Sequence, residues 1–415
     1  MAVNLPELLS LHPIAGIKVG TADAKIKSTE HDDLALFELP PESTCAAVFT
    51  RNAFCAAPVT IAKQHLATTT PRYLLINSGN ANAGMGQRGL NATLSCCESV
   101  AQLTGCAAQQ VLPFSTGVIG APLPVEKIQA ALPTALAALD AEGWKKAAGA
   151  IMTTDTAAKG ESIQVTINNQ TVTVTGIAKG AGMIRPDMAT LLVFIATDAA
   201  VAASVLKTGL ADAMNNSFHR ITVDGDTSTN DACVLIATGQ SRLPPINSTD
   251  DSAYRSLYQA ISQVCQQLAQ KIVRDAEGAT KFITIDVEQG LTETECLDVA
   301  YTIAHSPLVK TAFFASDANW GRILAAVGRA GIDNLDIQAV KIYLGDVCIV
   351  ENGGVADSYT EEQGQRIMSE AEIRIRVVLA RGEVAGEDGD KGHHVRIWTS
   401  DLSHDYVRIN AEYRT

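Results

Sequence analysis

Basic residues are scarce in this chain. Its 415 residues include 32 lysines and arginines against 45 aspartates and glutamates, a formal net charge of −13. No run of Lys/Arg stands out from that background. A nucleic acid or an anionic membrane needs a basic patch, so neither is expected as a partner. No apolar stretch approaches the roughly 18 residues of a membrane span. The opening MAVNLPELLSLHPIAGI has neither a basic region nor a long apolar core, which argues against a secretory signal. Paired cysteines are missing as well. Nine of them, at 45, 55, 96, 97, 106, 233, 265, 296 and 348, form an odd set without a repeating spacing. Reduced thiols and a cytoplasmic chain are the expectation.

The common catalytic and cofactor signatures are absent too. There is no G-x-x-x-x-G-K-[ST], no H-E-x-x-H, no G-x-S-x-G, and no C-x-x-C pair or histidine cluster for zinc. Gly84-Met85-Gly86-Gln87-Arg88-Gly89 spells G-x-G-x-x-G. It does not directly follow the strand expected at 73–76, however, and no acid lies between Glu98 and Glu126. A dinucleotide site needs both features, so these glycines read as a turn. Cys96 and Cys97 read as packing residues of a helix.

What the chain has is ample apolar content, 47%, with 19% charged residues, as expected for a globular protein. At about 150 residues per domain, its length allows two or three domains or one large one. Short strands are expected at 34–39, 46–50 and 73–76, and helices at 90–103, 125–139 (with Pro133 as a break) and 144–152. Ile163, Val165 and Ile167 alternate, Asn168-Asn169-Gln170 turns, and Val172 and Val174 resume, which predicts a hairpin. Helices are further expected at 199–214, 252–276, 293–304 and 319–330, and strands at 281–287, 340–350 and 371–380. The Gly/Asp/Glu-rich stretch from Gly382 to Gly392 reads as a surface loop. The fold class is α/β or α+β, with helices layered on sheets.

One segment carries chemistry. Lys179 to Ala189 is irregular, with glycines at 180 and 182 and a proline at 186, and Thr190 precedes the apolar run LLVFIA. A loop followed by a buried strand explains the pattern without any function. The alternative is that Thr190 attacks the carbonyl of Ala189 and becomes a new N-terminus. Its hydroxyl is then a nucleophile and its own α-amine, with an unperturbed pKa of about 7.7–8, the general base. No histidine is needed.

The run KGAGMIRPDMATLLVFIATDA at 179–199 resembles the cleavage-and-nucleophile signature of the glutamate N-acetyltransferase (ornithine acetyltransferase) family of arginine biosynthesis. So do NSGNANAG at 77–84, STGVIG at 115–120, IMTTDT at 151–156, DGDTSTND at 224–231, EGATKF at 277–282, DANWGRI at 317–323 and the final INAEYRT. Ala181, where serine is expected, and Arg185, where a small residue is common, depart from the pattern. Both precede the bond to be cut.

The resemblance implies an α/β sandwich of the self-processing N-terminal-nucleophile type, with helices flanking central sheets shared by both cleaved chains. It implies cleavage between Ala189 and Thr190 into an α chain, 1–189, and a β chain, 190–415, assembled as a heterotetramer of two of each. Thr190 would carry acetyl from N2-acetylornithine to glutamate by a ping-pong route. Thr116 and Gly117 would form the oxyanion hole, and Thr153, Lys179, Thr190, Glu277, Asn410 and Thr415 would contact substrate. No metal or cofactor is called for, and acetyl-CoA as a second acetyl donor stays open. Lys179 suits a substrate carboxylate and Glu277 an amine. Asn410 and Thr415 imply that the C-terminus folds into the site. Asp226, Thr227 and Asn230 read as turn or supporting residues. A related self-processing aminopeptidase or amidase, with water as acceptor, and a non-catalytic binding protein on the same fold are the two alternatives.

Overall fold

The computed structural model describes residues 2–27, 31–185, 191–382 and 392–413. The chain forms two compact units. One comprises Pro6–His219 and Asp226–Ile272, the other Met1–Leu5, Arg220–Gly225 and Val273–Thr415.

The first unit is built on two sheets. β1 (Lys18–Ala22), β2 (Leu34–Glu38), β4 (Tyr73–Asn80) and β5 (Val111–Val118) lie in the order β1-β2-β4-β5, with β4 and β5 parallel and the other neighbours antiparallel. β3 (Thr44–Phe49), β6 (Lys159–Ile167), β7 (Gln170–Lys179), β8 (Leu192–Thr197) and β9 (Ala232–Ala237) lie in the order β3-β9-β8-β7-β6, with β8 and β9 parallel. Its helices are α1 (Ala57–Thr68), α2 (Gly86–Thr104), α3 (Val125–Ala137), α4 (Trp144–Ala150), α5 (Ala203–Asn215) and α6 (Ser252–Arg274).

Strand alternation explains how the layers stack. Phe37, Leu74, Ile76 and Phe114 of one sheet share a core with Phe194, Ala196, Val234 and Ile236 of the other. The intervening residues Leu36, Tyr73 and Leu75 point the opposite way, onto Cys97, Val100, Ile128 and Leu132 of α2 and α3. On the far side of the second sheet, Gly176 leaves room for Val264 and Leu268 of α6. The result is a four-layer α/β/β/α sandwich. Aromatic rings meet in the middle layer, with Phe114 and Phe194 edge to face at 5.1 Å and Phe37 and Trp144 at 5.3 Å. β8 is covered on both faces, so its sequence is an unbroken apolar run rather than an alternating one.

The hairpin expected at 163–174 forms as β6 and β7, with Asn168 and Asn169 at φ +49° and +60° in the turn. Pro133 does not break its helix. It sits on the exposed side of α3, while Ile128, Ala131, Leu132 and Ala135 on the other side are buried. One lost hydrogen bond on a wet face is outweighed by that apolar contact. The helix expected from 199 begins only at Ala203.

The second unit carries β10 (Phe282–Gly290), β11 (Lys341–Leu344), β12 (Val347–Glu351), β13 (Gly354–Val355), β14 (Glu372–Val378) and β15 (His393–Ser400) in the order β13-β12-β11-β14-β10-β15. The stretch 340–350 is therefore a hairpin rather than one strand. Gly345, at φ +57°, makes the turn. Its helices are α7 (Glu293–Ala304), α8 (Pro307–Phe314), α9 (Trp320–Gly328), α10 (Glu361–Met368) and α11 (His404–Ala411). Ile283, Ile285, Val287, Ile373 and Ile375 pack on Cys296, Val299, Ile303, Phe313 and Ile323 of α7, α8 and α9. The opposite sheet face is polar, and buried Asp286 accepts hydrogen bonds there from Arg374 and Arg396. No helix among the described residues is long and apolar enough to cross a membrane. The segment read as a surface loop lies outside the described residues from 383 to 391.

Candidate active site

The parallel pair β4–β5 brings two backbones into close approach. Ser78 pairs with Thr116 and Gly79 with Gly117. Gly117 has φ +132°, and a Cβ built on it would lie 2.3 Å from the carbonyl carbon of Gly79 and 2.6 Å from the nitrogen of Asn80. Only glycine fits there. Thr116, beside it, is buried. Asn230 fastens this corner: its Nδ2 donates to the carbonyls of Ala81, at 2.6 Å, and Ser115, at 2.9 Å. Ser115 in turn donates its hydroxyl to Asn77 at 2.6 Å. The residue read from sequence as turn or support thus holds the chain immediately before Thr116.

Asp155 is the charged centre of the same unit. Its Oδ1 accepts from Lys159 Nζ and from the Gly180 backbone, both at 2.7 Å, and its Oδ2 accepts from the Thr153 backbone at 2.9 Å. Lys179 Nζ lies 3.9 Å from Oδ2. Burial works to raise the Asp155 pKa; the ammoniums of Lys159 and Lys179, with the hydrogen bonds from Lys159 and Thr153, more than reverse it and hold the carboxyl well below the usual range. Thr153 and Lys179 are therefore brought together on one carboxylate. Asp155 lies within IMTTDT at 151–156, where nothing local in the sequence marks its role.

Asp231 behaves oppositely. It is buried, its Oδ2 has no hydrogen-bond partner, and burial pushes its pKa well up, only partly offset by the Ser228 hydroxyl and the charge of Lys179. The next residue, Ala232, donates its N–H to the carbonyl of Leu191 at 3.0 Å. Thr190 is bonded to that Leu191. Ala189, Thr190 and Thr415 themselves lie outside the described residues.

In the second unit Glu277 is buried and accepts a hydrogen bond from Asn410 Nδ2 at 2.7 Å. α11, which carries Asn410, is capped by Ser403, whose hydroxyl accepts from the Tyr406 N–H. Gly278, at φ +67°, admits this contact, since a Cβ there would lie 2.6 Å from both Ser403 Oγ and Tyr406 N. Tyr406 donates its hydroxyl to Asp224 at 3.1 Å. Lys310 is fully buried and donates to Thr399 Oγ1 and the Ser400 carbonyl. Burial lowers its pKa to about 8 against the opposing pull of Asp401 and Asp224. No group of three or more potential metal ligands occurs among the described residues.

The ArgJ family profile matches residues 18–415. The chain belongs to the ArgJ family. It is 56% identical over its whole length to the arginine biosynthesis bifunctional protein ArgJ of Pseudomonas syringae pv. tomato, all of which is covered. It is also 56% identical to the protein of the same name from Methylococcus capsulatus, over 99% of this chain and 98% of that one. A crystal structure of the Bacillus halodurans ArgJ is 36% identical, spans 52% of this chain and 97% of its own, and superposes with a TM-score of 0.48. Family membership makes the chain an acyltransferase of arginine biosynthesis. The ArgJ motifs quoted above now have places: NSGNANAG and STGVIG form the β4–β5 corner, IMTTDT holds Asp155, and DGDTSTND supplies Asn230 and Asp231.

Asp231 offers a test of these electrostatics. Its folded pKa lies above the unfolded value, so the native state binds the proton more tightly. Stability is then lost as pH rises from the unfolded pKa near 3.9 toward the folded one. Asp231→Asn, which cannot ionise, is expected to melt above the unsubstituted chain at pH 7.5, with the gap closing toward pH 4. Each kcal/mol corresponds to roughly 2–4 °C. A gap that does not change with pH in thermal melts contradicts the assignment.

Proposed function

We propose that the chain cuts itself between Ala189 and Thr190 and uses the freed Thr190 to move acetyl from N2-acetylornithine to glutamate, giving ornithine and N-acetylglutamate. The observation that carries this reading is the ArgJ match over 18–415, which includes the run from Lys179 to Ala199 around the scissile bond. The 1–189 and 190–415 chains then pair as a heterotetramer of two each. This is the self-processing N-terminal-nucleophile variety of the α/β sandwich.

The chemistry follows from the residue types. Thr190 Oγ attacks the acetyl carbonyl while its α-amine takes the hydroxyl proton. Negative charge builds on the acetyl oxygen, where the Gly117 N–H and the Thr116 hydroxyl donate; one such donor is typically worth about 3 kcal/mol. The C–N bond breaks, the α-ammonium returns its proton to the leaving ornithine amine, and an acetyl ester remains on Thr190. The glutamate amine attacks that ester to complete a ping-pong cycle. Lys179 suits the substrate carboxylate as a point charge, held in place by Asp155. Glu277, oriented by Asn410, suits a substrate amine, and Thr153 and Thr415 complete the contacts. The relatives are named bifunctional, and we extend the proposal to acetyl-CoA as a second acetyl donor at the same threonine.

Incubation with N2-acetylornithine labelled in the acetyl group, with and without glutamate, tests the reading. Label is expected in N-acetylglutamate. Label released only as free acetate identifies a hydrolase with water as acceptor, and no turnover at all favours a binding protein.

A further inference from the structure

We propose that Lys27, which lies outside all the matching motifs, is a further substrate-binding residue of this site and receives the α-carboxylate of the amino-acid substrate. The inference rests on the acetyl-transfer reading given above and extends it to one side chain.

Lys27 stands in the connection between β1 and β2, whose shape is set by Asp33. The buried Asp33 carboxylate accepts the backbone N–H groups of Ala24 at 2.7 Å, Ile26 at 2.6 Å and Lys27 at 3.0 Å. That grip fixes the direction in which the Lys27 side chain leaves the backbone. Its stem then crosses Gly79: a Cβ built on Gly79 would lie 2.7 Å from Lys27 Cγ. Gly79 is the residue paired with Gly117. At its other end the Lys27 Nζ donates to the carbonyl of Met152, the neighbour of Thr153. One half-buried lysine thus spans from Gly79, the partner of Gly117, to the Met152 carbonyl, one residue before Thr153.

Charge explains why an anion belongs there. Lys27 lies within electrostatic reach of Asp33, Asp155 and Lys179, and Lys179 also acts on Asp231. Lys27, Lys159 and Lys179 bring three ammoniums. Asp33 and Asp155 bring two carboxylates, and burial favours the neutral form of Asp231. With Asp231 neutral, the cluster holds one more ammonium than carboxylates. Lys159, fully buried, already spends donors on Asp155 and the Ala157 carbonyl. An ammonium has three donors, and Met152 accepts one from Lys27. Desolvation depresses the Lys27 pKa, Asp33 and Asp155 pull it back only in part, and the Lys179 charge adds a smaller downward push. A bound carboxylate would offset these downward effects by direct charge pairing with the ammonium. Lys27 and Lys179 together form a two-pronged seat for it.

The test compares N2-acetylornithine with N-acetylputrescine, the same acetyl donor without its carboxylate, in the unsubstituted enzyme and in Lys27→Met. The enzyme's preference for the carboxylate-bearing donor, read as the ratio of kcat/KM values, is expected to fall at least tenfold in Lys27→Met. The loss should lie in the KM for N2-acetylornithine, with N-acetylputrescine nearly unaffected and Lys27→Arg restoring part of the preference. Equal losses with both donors, or an unchanged ratio, overturn the assignment and leave Lys27 as a tether for Met152. If Lys27→Met misfolds, the same ratio is read in Lys27→Gln, whose neutral amide can still donate to the Met152 carbonyl. An unsubstituted enzyme that transfers no acetyl from N2-acetylornithine sinks the functional reading itself, whereas normal transfer with an unchanged ratio in the variants sinks only the role of Lys27.

Discussion

Thr190→Ala is expected to stay a single chain of 43.8 kDa under denaturing conditions and to transfer no acetyl. One substitution removes two functions. Without the hydroxyl, nothing attacks the Ala189 carbonyl, so the bond before residue 190 survives. Because it survives, no α-amine is released to act as base. Removing a nucleophile that works as a unit with its base costs on the order of 10⁴-fold or more in kcat. Thr190→Ser keeps a hydroxyl and should cut and turn over, more slowly. The unsubstituted chain should separate into pieces of roughly 20 and 24 kDa, in proportion to 189 and 226 residues. An alanine variant that still cuts would place the nucleophile elsewhere.

Gly117→Ala has the second largest expected effect, for a steric reason. Its new methyl carbon would lie 2.3 Å from the Gly79 carbonyl carbon and 2.6 Å from Gly79 O and Asn80 N. All three are backbone atoms, so no side chain can turn aside. A φ of +132° adds strain that alanine does not tolerate. β4 and β5 must separate, and the 117 N–H moves with them. A misplaced oxyanion donor costs on the order of 10²–10³ in kcat, so acetyl transfer should fall at least that far. Gly84→Ala is the control. Its φ is +73°, yet no atom lies within 4 Å of the added carbon. It should cost about 1–2 kcal/mol of stability and leave kcat nearly unchanged. Steady-state rates beside thermal melts separate the two cases, and a fully active Gly117→Ala would contradict the placement of the oxyanion hole.

The legibility of this fold in its sequence followed local chemistry. The β6–β7 hairpin was readable because alternation and the Asn168-Asn169 turn are both local. β9 was not, because ACVLIA is buried on both faces and shows no period. α3 was readable apart from the consequence of Pro133, which depended on which side of the helix faces water. The site divides in the same way. Lys179 and Thr153 could be named from matching motifs, but the carboxylate that unites them is a long-range fact: Asp155 meets Gly180 across 25 residues. Asn230 bonds Ala81 and Ser115 across 149 and 115 residues, which no spacing rule anticipates. Lys27 was invisible for the same reason. It touches Gly79 and Met152 through the fold, and in sequence it is one exposed-looking lysine among several.

Covalent capture at Thr190 is the step on which the whole account depends. Untagged protein would be incubated with N2-acetylornithine in the absence of glutamate, denatured, and its fragments weighed intact. The fragment beginning at Thr190 should gain the mass of one acetyl group, lose it again when glutamate is added, and yield N-acetylglutamate in equal amount. A single uncut chain, or a cut chain that never gains the acetyl mass while N-acetylglutamate still forms, would contradict an acetyl-threonine intermediate.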